Sequence, residues 1–153
     1  MQYQSISADC HIDLPWLPAE LFIDNARAEF RERMPFVRET DKGPYWISNN
    51  GGTFCLKNGM GSAGRVYVPG QIHRSDRMAE QGLFSDGAAG IPRLTDPDLR
   101  VQDQDLDGVQ GEVLYGILGA SGRLNDDEAA TEMMRIYNEW LADFCAKRPE
   151  RFA

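Results

Sequence analysis

The sequence predicts an α/β fold resting on parallel strands, and three observations carry that expectation. An N-terminal segment alternates in polarity over Tyr3 to Ala8 and then meets a polar cluster, SADCHIDLP, at residues 7–15. A second run, GEVLYGI at 111–117, is apolar in the manner of a buried parallel strand. Helical patterns separate and follow these runs, and strands that alternate with helices pair in parallel.

The first strand is expected to be short and mostly buried. Pro15 and Pro18 then break the chain, and Pro18 is placed to open a helix towards Arg33, in one or two pieces, before Pro35 stops it. Residues 36–58 read as antiparallel: FVRET, the turn DKG, PYWISN, NGG and TFCLKN spell a hairpin or three-stranded meander. Gly59 to Pro92 is glycine-rich, with a short helix expected around Ser75 to Gln81. Residues 36–92 thus form a β and loop insertion within a single unit spanning 1–153.

The last third is the most regular. Asp96-Pro97 supplies an N-cap and a proline at the first helical position, starting a helix to about Asp107 that Gly108 ends. After the apolar strand, Asn125-Asp126-Asp127-Glu128 reads as an N-cap with a capping box and acids in the first turn. Ala130, Met133, Tyr137, Trp140, Leu141 and Phe144 recur at steps of three and four and predict one buried helical stripe. Lys147 and Arg148 close that helix before Pro149. Two strands cannot cover themselves, and RPERFA (148–153) falls where an α/β chain begins its next strand, so the whole reads as the front of a larger fold.

Composition removes several function classes. With 24 acidic against 16 basic residues the net charge is −8, no Lys/Arg block appears, and the arginines of RAEFRERM (27–34) alternate with glutamates, which reads as a solvated helix face and not a phosphate track. Nucleic acid and membrane are therefore not expected partners. No apolar run approaches the roughly 20 residues needed to span a bilayer, and the N-terminus has neither the basic start nor the apolar stretch of a secretory signal. Cys10, Cys55 and Cys145 are odd in number and never spaced as CxxC, which fits a reduced, cytoplasmic protein.

The candidate chemistry lies in SADCHIDLP. Positions i and i+2 of a strand face the same side, so Asp9 and His11 converge at the strand's C-terminal end while Cys10 faces away. A carboxylate with an imidazole suits Zn²⁺, Mn²⁺ or Fe²⁺, although three or four ligands are usually required. From these residues alone a second reading stands beside it: Asp9 caps a loop and His11 is a partly buried histidine. Asp13 continues the series, but Pro15 ends the strand, making it a loop acid or a partner of a ligand. Trp16 either lines a pocket or packs in the core. Gly59-x-Gly61-x-x-Gly64 has the dinucleotide spacing, yet RVYVPG follows where a helix is required, so a nicotinamide cofactor is not expected. His73 has no ligand partner nearby in sequence and is assigned no role.

These residues resemble a known family. ADCHIDLP after an N-terminal strand, DPDLRVQDQDLDGVQGEVLYGILG, and RIYNEWLADFCAKRPERF on the following helix are similar to the amidohydrolase-related metal-dependent hydrolases and decarboxylases. That group includes the aminocarboxymuconate semialdehyde and resorcylate decarboxylases. The resemblance covers residues 3–33 and 94–153, and it implies the first two β/α units of a TIM-type (β/α)₈ barrel, here incomplete. It further implies a divalent metal (Zn, Mn or Fe) held by Asp9 and His11, with later ligands and the acid/base expected beyond Ala153. Asp13 and Trp16 would line the pocket for a small-molecule substrate. The chain departs from related members in carrying Asp13-Leu14-Pro15 where Glu-Pro is frequent and Gln104 where Met is common, which leaves the substrate open. Alone, these residues are expected to bind metal weakly and to turn nothing over. The alternative expectation is a non-catalytic α/β interaction or assembly domain. An incomplete barrel would expose an apolar edge along 111–117 and favour a homo-oligomer, whereas a self-contained domain would stay monodisperse.

Overall fold

The computed structural model describes residues 3–57 and 89–153. The chain is mixed α/β, with a parallel sheet and a separate antiparallel one. In the parallel sheet β1 (Ile6–His11) pairs with β5 (Gly111–Tyr115), matching Ile6 to Gly111 and His11 to Tyr115. A bulge between Ser7 and Cys10 adds one residue to β1. The antiparallel sheet is the expected meander: β2 (Phe36–Thr40), β3 (Gly43–Ile47) and β4 (Thr53–Leu56) in that order. The expected helix at 75–81, the glycine motif at 59–64 and His73 lie outside the described residues.

The C-terminal residues extend the parallel sheet. Arg151 O accepts from Glu112 N at 2.8 Å, Ala153 N donates to Glu112 O at 2.9 Å, and Leu114 N donates to Ala153 O at 2.7 Å. Phe152 bridges Glu112 in parallel, so β5 lies between β1 and the 151–153 segment. RPERFA does begin strand pairing at the expected place. The described residues form no closed barrel.

β1 differs from its expectation in two respects. It starts and ends three residues later, and most of it is exposed, Ile6 by 54%. Its outer edge pairs with no strand among the described residues, so only the β5 side and the core-facing side chains are covered. The helix expected between Pro18 and Arg33 also contracts, to α1 (Leu21–Asn25) and a 3₁₀ turn at Arg31–Arg33. Only Leu21 and Phe22 of α1 are buried, and the segment beyond it is held by charge. Arg27 and Arg33 both lie over the Phe30 ring, and Arg33 pairs with Asp126 at 2.5 Å.

The two long helices form as their caps dictate. In α2 (Pro97–Asp107) the Asp96 carboxylate accepts from Asp98 N and Leu99 N. Gly108 closes it at φ 69°, a left-handed conformation that glycine enters without steric cost, while Val109 N donates to Gln104 O. After the short helix α3 (Leu118–Ser121) comes α4 (Asp127–Ala146), whose N-cap is Asp126, one residue beyond the expected start of the box. Asp126 accepts from Ala129 N at 3.1 Å, and Asn125 takes the left-handed turn before it at φ 51°.

The core gathers beneath α4. Ala129, Met133, Ile136, Tyr137 and Phe144 are buried from that helix, together with Ile12, Leu17, Phe22, Trp46, Leu114 and Leu124. Ala130, Trp140 and Leu141 of the expected stripe are only partly buried against it. Trp46 brings the meander to α1, meeting Phe22 edge-on at 5.8 Å. An aromatic run from Trp140 through Phe144 to Phe152, with centroids 5.7 and 5.1 Å apart, packs α4 onto the end of the chain.

One buried polar group on α2 is unsatisfied. Gln104 is buried, and neither side-chain amide atom has a hydrogen-bond partner among the described residues. A buried amide without partners costs about 1–3 kcal/mol. Gln104→Met fills the same volume without the polar atoms and is expected to raise stability by about 1 kcal/mol. A urea midpoint that falls in this variant would show that the amide is satisfied in solution.

Candidate functional site

The site begins where β1 meets the prolines. Alternation leaves Asp9 and His11 outward, with side chains 90% and 51% exposed, and their groups meet at 3.0 Å between Asp9 Oδ1 and His11 Nε2. Cys10 faces the other way, as expected, and lies against the core with its Sγ 2.9 Å from Ser7 Oγ. Ile12 N then donates to Tyr115 O at 3.0 Å, which fixes the end of β1 on β5.

Asp13 is brought to the same imidazole. It leads into the 3₁₀ turn Leu14–Trp16, and its Oδ1 stands 3.7 Å from His11 Nδ1. His11 therefore has a carboxylate facing each ring nitrogen, and the Tyr115 ring stands edge-on beside it at 6.2 Å. Asp13 and His11 share a cavity of about 240 Å³ whose apolar wall includes Leu14, Pro15, Phe54 and Ile117. Trp16 is elsewhere. It lines a separate depression with Pro18, Ile91, Pro92 and Leu94.

The support under the site was not visible in the sequence. Arg100 of α2 is buried, pairs with Glu112 of β5 at 2.6 Å, and reaches the carbonyls of Leu94 at 3.3 Å and His11 at 3.4 Å. A buried cation satisfied in this way ties α2 to both parallel strands directly behind His11. Tyr137 of α4 donates its hydroxyl to Ile12 O at 3.0 Å, and burial holds the phenol well above its usual range. Gly116 lies against the same carbonyl. A Cβ there would fall inside van der Waals contact with both Ile12 O and the Tyr137 hydroxyl.

Ile117 forms part of the wall at a conformational cost. Its φ is 53°, in the left-handed region that a β-branched residue rarely enters. In return its carbonyl accepts from Ala120 N and Ser121 N, both at 2.9 Å, and so starts α3 directly from the strand end. This turn sets Gly119, Ala120 and Arg123 on the cavity. Arg123 Nη1 lies 3.5 Å from Phe54 O.

The geometry limits the chemistry. Cys55 lines the cavity, but burial pushes its thiol up to about 11, outweighing the field of Arg123, and burial also raises Cys10. Neither is a thiolate nucleophile near neutral pH. For a divalent ion, Asp9 and His11 provide one hard oxygen and one borderline nitrogen at a common point, the donor chemistry that Zn²⁺, Mn²⁺ or Fe²⁺ takes. Among the described residues no group of three or more His, Cys, Asp or Glu is placed to hold a metal. The pair fits part of a coordination sphere. No described helix is long and apolar enough to cross a membrane.

No protein-family model matches the chain, and no curated protein matches it.

Proposed function

We propose that Asp9 and His11 are the first two ligands of a divalent-metal centre in an amidohydrolase-like enzyme. The enzyme would hydrolyse a C–N or C–O bond, or decarboxylate a small carboxylate-bearing molecule. The observation that supports this most directly is the 3.0 Å approach of Asp9 Oδ1 and His11 Nε2 at the C-terminal end of a parallel strand. Strand ends of this kind are where α/β folds place their chemistry. The remaining ligands would come from outside the described residues. When bound, such an ion polarises a coordinated water or substrate oxygen.

The chain's own residues have separable tasks in this reading. Asp13 stands 3.7 Å from Nδ1, beyond hydrogen-bond reach, and would have to close on that nitrogen to fix the tautomer that presents Nε2 beside Asp9. Arg100 holds the backbone of His11 from behind. Leu14, Pro15, Phe54 and Ile117 exclude water from one side of the substrate. Trp16 lines a different depression, with Pro18, Ile91, Pro92 and Leu94.

With two of its ligands among the described residues, the site is expected to bind metal weakly. Paramagnetic Mn²⁺ titrated into isotopically labelled protein should broaden the amide resonances of Asp9 to Asp13 and Tyr115 first, and Asp9→Ala with His11→Ala should abolish that effect. Broadening centred instead on the acidic face of α2, at Asp103 and Asp105, would overturn the assignment. The apolar edge expected along 111–117 is not open, because β1 and the 151–153 segment flank β5. Exposed Ile6 and Tyr115 are the apolar groups left to favour self-association, which sedimentation at increasing concentration measures.

A further inference from the structure

We propose that Arg123 is the specificity residue of the cavity and receives the carboxylate of a substrate no larger than one substituted ring. The inference rests on the proposed reading of the Asp9–His11 site in placing that substrate in the same cavity. Arg123 is the one arginine or lysine among the described residues on the cavity wall, which it shares with His11 and Asp13. Other arginines of this acidic chain are committed to carboxylates: Arg27 and Arg135 to Glu132, Arg33 to Asp126, Arg100 to Glu112, and Arg151 to Asp105. Arg123 pairs with no carboxylate among the described residues, and its one hydrogen bond there, to Phe54 O, is long. No other described residue claims its remaining N–H donors, which can serve a ligand.

The shape of the cavity completes the inference. About 240 Å³ exceeds the ~150 Å³ that accommodates a benzene ring in an apolar protein cavity, leaving room for a small substituent. Pro15, Leu14, Phe54 and Ile117 supply flat and branched apolar surface for the ring. The guanidinium offers a planar fork that matches a carboxylate through two parallel hydrogen bonds, which an ammonium cannot reproduce. A strained backbone at Ile117 holds the α3 turn that leads to this arginine, and strain of that kind is maintained where position matters.

Benzoate and its neutral counterpart benzamide test the assignment on the whole chain without added metal. Benzoate is expected to shift the amide resonances of Phe54, Ile117 and Ala120 saturably, and Arg123→Gln should weaken it roughly tenfold or more while leaving benzamide unchanged. Arg123→Lys should restore only part of the affinity. Arg123 is exposed, and an unchanged amide spectrum in each free variant shows that the fold is intact. Equal affinity for benzoate and benzamide, an Arg123→Gln variant that binds benzoate as the parent does, or no saturable benzoate binding would each overturn the proposal. The same titration in the Asp9→Ala, His11→Ala double variant separates the two readings. Benzoate selectivity retained there supports Arg123 whether or not Mn²⁺ locates at the strand end, and selectivity lost there overturns an anchor at Arg123.

Discussion

Replacing Glu132 with alanine is expected to destabilise the protein by about 3 kcal/mol. This carboxylate is fully buried in α4, and five donor contacts converge on it. Arg27 reaches it through its backbone N at 3.0 Å, Nε at 3.0 Å and Nη2 at 2.9 Å, and Arg135 through Nε at 3.0 Å and Nη2 at 2.8 Å. Arg135 Nη2 also donates to Asn25 O, so the cluster ties the end of α1 to α4. Removing the carboxylate leaves a cavity and strands the Arg27 amide. The two guanidiniums are partly in water, which keeps the cost at the lower end of that for broken buried pairs.

The pH dependence follows from the same contacts. Hydrogen bonds from Arg135, and then those from Arg27, hold the Glu132 carboxyl well below its ordinary 4.5 against the opposing effect of burial. The unfolded chain therefore binds this proton more readily than the folded one, and stability rises with pH. The contribution is fully present above about pH 5 and is lost progressively as the pH falls below the ordinary glutamate value. Glu132→Gln removes the titrating group while keeping the shape. Its unfolding midpoint should fall less between pH 6 and pH 3 than that of the parent, with a residual slope from Asp126, which Arg33 lowers in the same direction. An equally steep acid loss in both proteins would show that Glu132 does not carry it.

The second large effect is expected at Gly116, where alanine should cost about 3 kcal/mol. A Cβ at this position meets the Ile12 carbonyl and the Tyr137 hydroxyl, both buried and bonded to each other. Overpacking typically costs about 1–3 kcal/mol, and here one obstacle is backbone that cannot rotate aside. Separating Tyr137 from Ile12 adds roughly another 1 kcal/mol for the lost hydrogen bond. Gly122→Ala is the control, because nothing lies within 4 Å of its Cβ position. Calorimetry should show a large fall in melting temperature for the first variant and almost none for the second.

Caps and alternation made parts of this fold legible beforehand. Asp96, Pro97 and Gly108 mark α2 unambiguously, because each acts through its own backbone or side-chain chemistry and needs no tertiary partner. The alternation that turns Asp9 and His11 outward and Cys10 inward is equally local. The start of α4 was ambiguous because Asn125 and Asp126 both cap well. Arg33, 93 positions away, pairs with Asp126, and asparagine tolerates the left-handed turn left to it. The segment from Pro18 to Arg33 misled for a related reason: its order comes from Glu132 and Phe30 contacts with arginines, which a hydrophobic period does not register. At the site, Phe54, Ile117 and Arg123 come from two distant stretches, and nothing in SADCHIDLP points to them.

The register of β1 on β5 has a kinetic consequence. Ile6 pairs with Gly111 and His11 with Tyr115, so each contact closes a loop of more than one hundred residues, whereas Phe36 meets Ile47 within a short hairpin. Loop-closure entropy must be overcome before such distant pairings return any free energy, and topologies dominated by them fold slowly. The meander can zip locally, but the strand end bearing Asp9 and His11 acquires its neighbours only when the two halves of the chain meet. The metal pair is local in sequence, but the cavity beside it, with Phe54, Ile117 and Arg123 on its wall, is complete only after that meeting.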